Sequence, residues 1–520
     1  MSRLRSAVRN GKRAGLELLE AAEPKRNRSN KAAKEEEPVN ASSPSCARHT
    51  FHPPADVELL RAQLLRWYDE NQRELPWRTL AVTESDLNIR TYAVWVSEIM
   101  LQQTQVSTVI DYYNKWMKRW PTVQHLSSAT LEEVNQMWAG LGYYSRGRRL
   151  HEGAQKVVSE LEGQMPRTAD SLLKQLPGVG RYTAAAVGSI ALGQVTGAVD
   201  GNVVRVLCRL RAIGADSTSP AVTEALWGLA NTLVDPERPG DFNQAMMELG
   251  ARVCSPRGPV CSQCPVRSHC HSFRTVHREK EKNARKPPAP PDIEDCMNSE
   301  TCPLCPSEPW DEALGVQNFP RKPPKKPPRV ERTLTCVVTR RGEEGGDEYL
   351  LTRRPKKGLL AGLWEFPGLL QGEKSSESKD KAALCAQISE LLATDVAESL
   401  IQYAGEVVHI FSHIHQTYVV HSVRLKDAGT QTRAENARWL TRSALQEAAV
   451  STGVKKIVKL CDSVDSEKEQ SCNGGKRQNR AGTKKKKNQP TSKKPKLSAA
   501  DSGSRQLSLS AFFSRVKQES

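Results

Sequence analysis

The chain has 520 residues, 38% of them hydrophobic, with a mean hydropathy of −0.57 and a formal net charge of +17. That length suits two folded units with connecting segments, and the low apolar content implies substantial unfolded sequence around them. No apolar run approaches the ~20 residues of a membrane-spanning helix, which argues against a membrane protein and for a soluble one.

Residues 1–55 read as a disordered basic tail, with 11 Lys/Arg against 6 Asp/Glu. Arg3, Arg5 and Arg9 precede the first acid, Glu17. Such a composition is compatible with a mitochondrial transit peptide and equally with a solvated basic arm. Residues 462–520 hold 14 Lys/Arg against 6 Asp/Glu, so the two ends carry +13 of the +17 and the folded parts are only mildly basic. Tails of this kind raise nonspecific attraction to DNA without identifying a substrate.

Between residues 56 and 275 apolar residues recur at helical spacing, as in VELLRAQLLRWY and LEEVNQMWAGLGYY, and an all-helical domain is expected. Residues 94–105, VWVSEIMLQQTQ, set one acid, Glu98, among apolar neighbours. Burial there would raise its pKa and favour the protonated form that a general acid needs, whereas a solvated glutamate is the ordinary alternative. Residues 140–146, GLGYYSR, hold an aromatic side chain on a glycine-bounded turn. In LPGVGRYT, Gly178 and Gly180 permit a tight turn whose amides can approach a phosphate closely, although such a turn is often mere connection. Asp200, in AVDGNVVRV, reads as the N-cap of a helix, where a carboxylate stays ionised at a positively polarised terminus.

Cys254, Cys261, Cys264 and Cys270 follow as C-x6-C-x2-C-x5-C, a grouping unlike a disulfide framework. Four thiolates this close suit either a [4Fe-4S] cluster or a tetrahedral zinc ion, held in a reducing compartment. Residues 276–330 hold 12 of the 31 prolines and read as an extended linker. Its Cys296, Cys302 and Cys305 are one ligand short of a closed zinc site.

From 331 to 461 alternation takes over. TLTCVVTRR and EYLLTRRP flank the turn-prone GEEGGDE, then come GEVVHIF and QTYVVHSVRL, so an α+β domain is expected. No fold is expected for 462–520. That tail carries lysine clusters of nuclear-import type at 484–487 and 493–496, and two adjacent phenylalanines that have no core to enter.

SEIMLQQTQV, the glycine turns, the aspartate and the cysteine loop, in this order, resemble the helix-hairpin-helix superfamily that includes endonuclease III. The chain is identified as a member of its adenine DNA glycosylase (MutY) family, most like the vertebrate members. The resemblance implies an all-α helix-hairpin-helix domain with a [4Fe-4S] loop, joined by a proline-rich linker to an α+β Nudix-like domain. It implies base excision repair of duplex DNA, in which adenine mispaired with 8-oxoguanine or guanine is swung out of the stack and removed.

Residue roles follow from the same resemblance. Glu98 protonates the departing adenine, at N7, and Asp200 stabilises the oxocarbenium-like sugar or a covalent intermediate, with Tyr182 and Asn202 completing the catalytic set. Tyr182 stands where strand-nicking relatives carry a Schiff-base lysine, which implies a glycosylase without strong lyase activity. Trp77, Arg78 and Glu248 fall in the adenine pocket, Gln103 and Thr104 beside the opposing 8-oxoguanine, and Leu141 and Tyr143 in the wedge. Gly178 and Gly180 form the phosphate-binding hairpin, and Arg252, Arg257 and Arg267 around the cysteine loop are presented to phosphates. Zinc would be held by Cys208 with Cys296, Cys302 and Cys305, the alternative for Cys208 being an ordinary buried thiol on a core helix.

GLWEFPG at 362–368 resembles part of a Nudix fold, yet AALCAQI at 382–388 stands where a Nudix hydrolase carries its glutamate-rich, magnesium-binding helix. The fold is then retained for recognition, with Phe411, Ser412 and His413 as a loop near the lesion. Gln506, Leu509, Phe512 and Phe513 resemble a binding box for the sliding clamp PCNA. Further partners implied are the checkpoint clamp, AP endonuclease and mismatch-repair proteins, in nucleus and mitochondrion. The rival readings are an endonuclease III-like enzyme for oxidised pyrimidines, a Nudix hydrolase of oxidised nucleotides and a catalytically silent mismatch sensor.

Overall fold

The structure, a computed structural model, describes residues 47–51, 54–284, 302–321, 327–342, 345–355, 358–371, 376–411, 413–426, 432 and 434–474. Cys296, Ser412, the lysine clusters and the clamp-box residues Gln506, Leu509, Phe512 and Phe513 lie outside the described residues. Among the described residues, no helix is long and apolar enough to cross a membrane.

The N-terminal part is a succession of helices because its apolar residues return to one face every three or four positions. In the helix Pro54–Asn71, Leu60, Leu64 and Tyr68 are buried at successive turns. They join Val203 and Leu207 of Gly201–Leu210 and Phe242 and Met246 of Pro239–Arg252 in one core. The helix Leu87–Leu101 starts on Asp86, whose carboxylate accepts from the amides of Asn88 and Ile89. Every residue from Thr91 to Met100 is buried. A helix apolar on all sides can only be central, and that is what carries Glu98 into the interior.

Three domain boundaries differ from the sequence reading. The basic tail expected to reach residue 55 ends earlier: Ala47–His49 forms a single 3-10 turn, and Phe51 enters the main core beneath the Arg211 guanidinium, 3.7 Å from its ring centre. The helix His271–Ala284 runs past 275, and within the proline-rich stretch Val316 and Phe319 are buried, so part of the linker is folded. The last helix, Thr452–Gly474, extends beyond 461. Short anchors of one or two apolar residues are invisible to a composition count.

The C-terminal part is a mixed sheet of β1 (Arg329–Arg341), β2 (Asp347–Arg353), β3 (Trp364–Glu365), β4 (Gly368–Leu370), β5 (Gln402–Ile410), β6 (Ile414–Arg424) and β7 (Ala437–Thr441). The order is β3-β2-β1-β6-β5, with β4 on β1 and β7 on β2. β1 and β6 run parallel, in register from Arg329↔Ile414 to Thr339↔Arg424, and the other pairs are antiparallel. The helix Glu377–Leu392 covers the sheet with Leu384, Cys385 and Ile388 against Leu334, Cys336 and Val338. Where a Nudix hydrolase would show metal-binding acids, this helix turns apolar residues inward. By its contacts the chain divides at Lys455: helical part and sheet belong to one unit, and Lys456 begins a second.

Candidate active site and metal centres

The last turn of Leu87–Leu101, the first turn of Arg181–Leu192 and the start of Gly201–Leu210 open on one cleft of about 1240 Å³. Trp77, Arg78, Glu98, Gln103, Thr104, Tyr182, Asp200, Asn202 and Glu248 all line it. Positions scattered over 172 residues of sequence thus share a single space wide enough for a nucleobase and its sugar.

Glu98 is 4% exposed, and its Oε2 accepts from the Tyr182 hydroxyl at 2.6 Å. Burial, reinforced by the nearby Asp200 charge, pushes its carboxyl up to about 7, although the Tyr182 hydrogen bond and Arg78 pull the other way. A carboxyl balanced there holds a proton at neutral pH and can give it up. Tyr182 itself, buried beside two acids, is held well above its ordinary value and stays a hydroxyl donor.

Asp200 caps the helix Gly201–Leu210. Oδ1 accepts from the amides of Asn202 at 2.9 Å and Val203 at 2.7 Å, and Oδ2 from the Asn202 side chain at 2.8 Å. Burial raises its pKa, while these three donors and Arg205 favour the anion. The N-cap geometry and a charge-stabilising role are therefore the same arrangement.

Glu248 is 1% exposed, and burial alone would raise its pKa. Arg73 grips both its oxygens, at 2.6 and 2.9 Å, Arg78 adds a third contact at 3.0 Å, and the net effect lowers it. Arg78 also donates to Gln244 Oε1 and the Arg73 carbonyl. Both expected pocket residues are thus bound to each other and shape the wall. Arg73, which sequence reasoning missed, is the common partner, and it sits in the non-helical stretch between two helices where no spacing marks it. Trp77 packs edge-on against Tyr113, 5.4 Å between ring centres.

The expected wedge divides in two. Tyr143 is 46% exposed at a φ of 47°, directly after Gly142 at φ 78° and three residues after Gly140 at φ 100°, a conformation glycine tolerates and a bulky residue adopts only under constraint. Leu141, by contrast, is 5% exposed and still lines the cleft beside Tyr143. The constraint is Arg146, also missed. Its guanidinium donates to the carbonyls of Ile99, Met100, Gln102, Leu141 and Gly142 and stacks 5.3 Å from the Tyr143 ring, tying the turn to the end of the Glu98 helix. Gln103 is exposed at a φ of 56°, and Thr104 accepts from Arg146 at 3.2 Å.

In the hairpin between Ala169–Gln175 and Arg181–Leu192, Gly178 has a φ of 80° and a Cβ there would meet Arg149 at 2.8 Å. Gly180, the N-cap of the second helix, is exposed with open space in front of it. Arg252, Arg257 and Arg267 are exposed. Phe411 and His413 share a second cleft of about 1130 Å³ with Leu141 and Tyr143, so the wedge turn and the sheet's loop face one space.

Cys254, Cys261, Cys264 and Cys270 line one small apolar pocket together with Val206, Leu210 and Val266. Among the described residues the only set of three or more ligating atoms lying within 4.8 Å of one another is His49, Cys302 and Cys305. The four thiols are therefore spread too widely for one zinc ion, whose sulfur ligands sit ~2.3 Å from the metal, and suit a polynuclear group. Burial pushes Cys264 and Cys270 up to about 12, an unfavourable state for free thiolates that a metal cluster would relieve.

His49, and not Cys208, lies together with Cys302 and Cys305. It is 2% exposed, its Nδ1 is 2.8 Å from the Arg211 carbonyl and its Nε2 3.3 Å from Cys305 Sγ. Cys208 is fully buried in the main core and is not a member of that set. The histidine lay unseen inside a tail read as structureless.

The sequence matches the HhH-GPD superfamily base excision DNA repair protein family over residues 96–232 and the NUDIX domain over residues 336–460. It is 52% identical to an adenine DNA glycosylase of Mus musculus over 470 residues, covering 88% of this chain and 90% of that one. It is 54% identical to one of Homo sapiens over 432 residues, 82% of this chain and 78% of that one. Among solved structures, the complex between the C-terminal domain of mouse MUTYH and human PCNA is 38% identical, covering 26% of this chain and 91% of that one at a TM-score of 0.24. A cleft that sets the buried Glu98 beside the half-buried Asp200, in a helical repair fold joined to a Nudix sheet, and a majority of identical residues over nearly the whole length place the chain in the adenine DNA glycosylase family, enzymes of base excision repair.

Proposed function

We propose that this glycosylase releases adenine mispaired with 8-oxoguanine, or with guanine, by general-acid catalysis from Glu98 and anionic stabilisation from Asp200. The observation that carries the reading is the burial of Glu98 beside Asp200 in a cleft open to an extrahelical base. N9 of adenine departs poorly as an anion, so a proton delivered to the ring by Glu98 weakens the glycosidic bond. The Tyr182 hydroxyl occupies Glu98 Oε2, which leaves Oε1 to carry the proton. As the bond breaks, positive charge builds on the sugar, and Asp200, fixed by the helix amides and Asn202, offsets it without having to reorient. Water completes the hydrolysis. Base release from an adenine:8-oxoguanine duplex compared with adenine:thymine tests this, and equal release from both would reject it.

The enzyme is read as monofunctional, because Tyr182 offers a hydroxyl where a lyase needs an amine. Borohydride added during turnover is expected to trap little covalent complex; trapping as abundant as with a lysine-bearing lyase would contradict this.

The cysteine cavity is read as the seat of a [4Fe-4S] cluster, whose role would be to fix the loop that presents Arg252, Arg257 and Arg267 to DNA phosphates. Zinc is assigned to His49, Cys302 and Cys305, with Cys296 as the remaining ligand, so that the metal would staple the linker to the N-terminal turn. Metal analysis of the purified protein is expected to show about one zinc lost in His49→Ala and none lost in Cys208→Ser. Loss in Cys208→Ser with retention in His49→Ala would restore the original assignment.

The sheet domain is read as the reader of the opposing base through Phe411, Ser412 and His413. The clamp partner PCNA rests on the tail motif Gln506, Leu509, Phe512 and Phe513, and residence in nucleus and mitochondrion on the lysine clusters and the arginine-bearing N-terminus.

A further inference from the structure

The cleft shared by the Tyr143 turn and the Phe411 loop takes one wall from the helical part and one from the sheet, so its width depends on how the two are held. Two contacts among the described residues tie them together. Glu132, in the first turn of the helix Leu131–Met137, accepts through Oε1 from the Arg438 guanidinium of β7 at 2.6 Å and from the Trp364 indole of β3 at 3.2 Å. The same guanidinium lies 3.9 Å from the Trp364 ring centre. The second contact is the Tyr144 hydroxyl, which donates to the Val450 carbonyl at 3.4 Å and accepts from the Gly140 amide at 3.1 Å.

Both contacts reach one short segment. The Trp364 amide donates to the Ala449 carbonyl at 2.9 Å, Trp364 bridges Val450, and the following Ser451 and Thr452 line the cleft. Glu132 is not needed to start its own helix, since Thr130 and Glu133 form the capping box there. An isolated half-exposed ion pair would contribute little. Here one carboxylate holds two donors that also stack on each other, so the three side chains constrain one another's geometry.

We propose that Glu132, clasped by Arg438 and Trp364, is a positioning residue for recognition of the base opposite the excised adenine, setting the gap between Tyr143 and the Phe411 loop. This rests on the reading that the sheet domain inspects that base. Breaking the clasp leaves Glu98 and Asp200 untouched, so adenine excision opposite guanine continues while the advantage of 8-oxoguanine shrinks.

The test uses the full-length protein and single-turnover adenine release from adenine:8-oxoguanine and adenine:guanine duplexes. Glu132→Gln and Arg438→Gln are each expected to lower the ratio of the two rates about fivefold, with the adenine:guanine rate held within about twofold. The exchange Glu132→Arg with Arg438→Glu is expected to recover most of the ratio, which loss of folding would not permit. Single variants that keep the parent ratio, or an exchange as low as the singles, would overturn the clasp. A parent protein with no preference for 8-oxoguanine would instead overturn the reading beneath it.

Discussion

Glu98→Gln is expected to slow adenine release by about 10²–10⁴-fold, the usual contribution of a positioned general acid. The amide keeps the side chain's shape and can still accept from Tyr182, so the loss reports the proton and not the packing. In the parent enzyme the same proton sets the pH dependence. Burial and Asp200 bring the carboxyl up to about 7, so the acid form prevails below that pH and is lost above it. Single-turnover release is therefore expected to fall about tenfold per pH unit on the alkaline side. Because the Tyr182 hydrogen bond lowers the Glu98 pKa, Tyr182→Phe should move that falling limb to higher pH. A Glu98→Gln enzyme working at parental speed, or a flat profile from pH 6 to 9 in the parent, would contradict the assignment.

Asp200→Asn should be nearly as damaging, with a loss of about 10²–10³-fold or more in the single-turnover rate. Asparagine is as good an N-cap as aspartate, so the amides of Asn202 and Val203 keep an acceptor and the helix Gly201–Leu210 keeps its start. What disappears is the negative charge facing the developing cation. Thermal unfolding measured beside activity separates the two roles: unchanged stability with lost excision supports the assignment, whereas lost stability with normal excision per folded molecule would reduce Asp200 to a cap. Combining the two variants should cost less than the product of the single losses, since proton donation and charge stabilisation serve one bond cleavage.

The burial of Glu98 and the cap position of Asp200 were legible because each leaves a local trace, an acid inside an apolar helix in one case and a cap residue before a helix in the other, while their roles in catalysis came from the resemblance alone. The cysteine loop was legible by spacing, and the strands from TLTCVVTRR to QTYVVHSVRL by alternation. What stayed hidden was held by distant partners. Arg73 grips Glu248 from 175 residues away, and Arg146 reaches back to the carbonyls of Ile99 and Met100. No periodicity encodes such contacts. His49 meets Cys305 across 256 residues, from a stretch whose basic composition suggested no structure at all. The exposure of Tyr143 and the burial of Leu141 were hidden for a related reason: a turn rich in glycine displays its neighbours or tucks them away, and the Arg146 anchor, unseen in sequence, decides which. The linker's folded portion was missed because proline density excludes long helices but not single turns.

The proton transfer at the centre of the account is tested most directly by single-turnover base release from a duplex carrying 7-deazaadenine opposite 8-oxoguanine, run beside adenine itself. That analogue keeps the base-pairing edge but has carbon in place of the N7 that Glu98 would protonate. The analogue is expected to bind about as tightly as adenine and to stay attached to its sugar, in the parent enzyme and in Glu98→Gln alike. Release at adenine's own rate would mean that bond cleavage does not depend on a proton at that position.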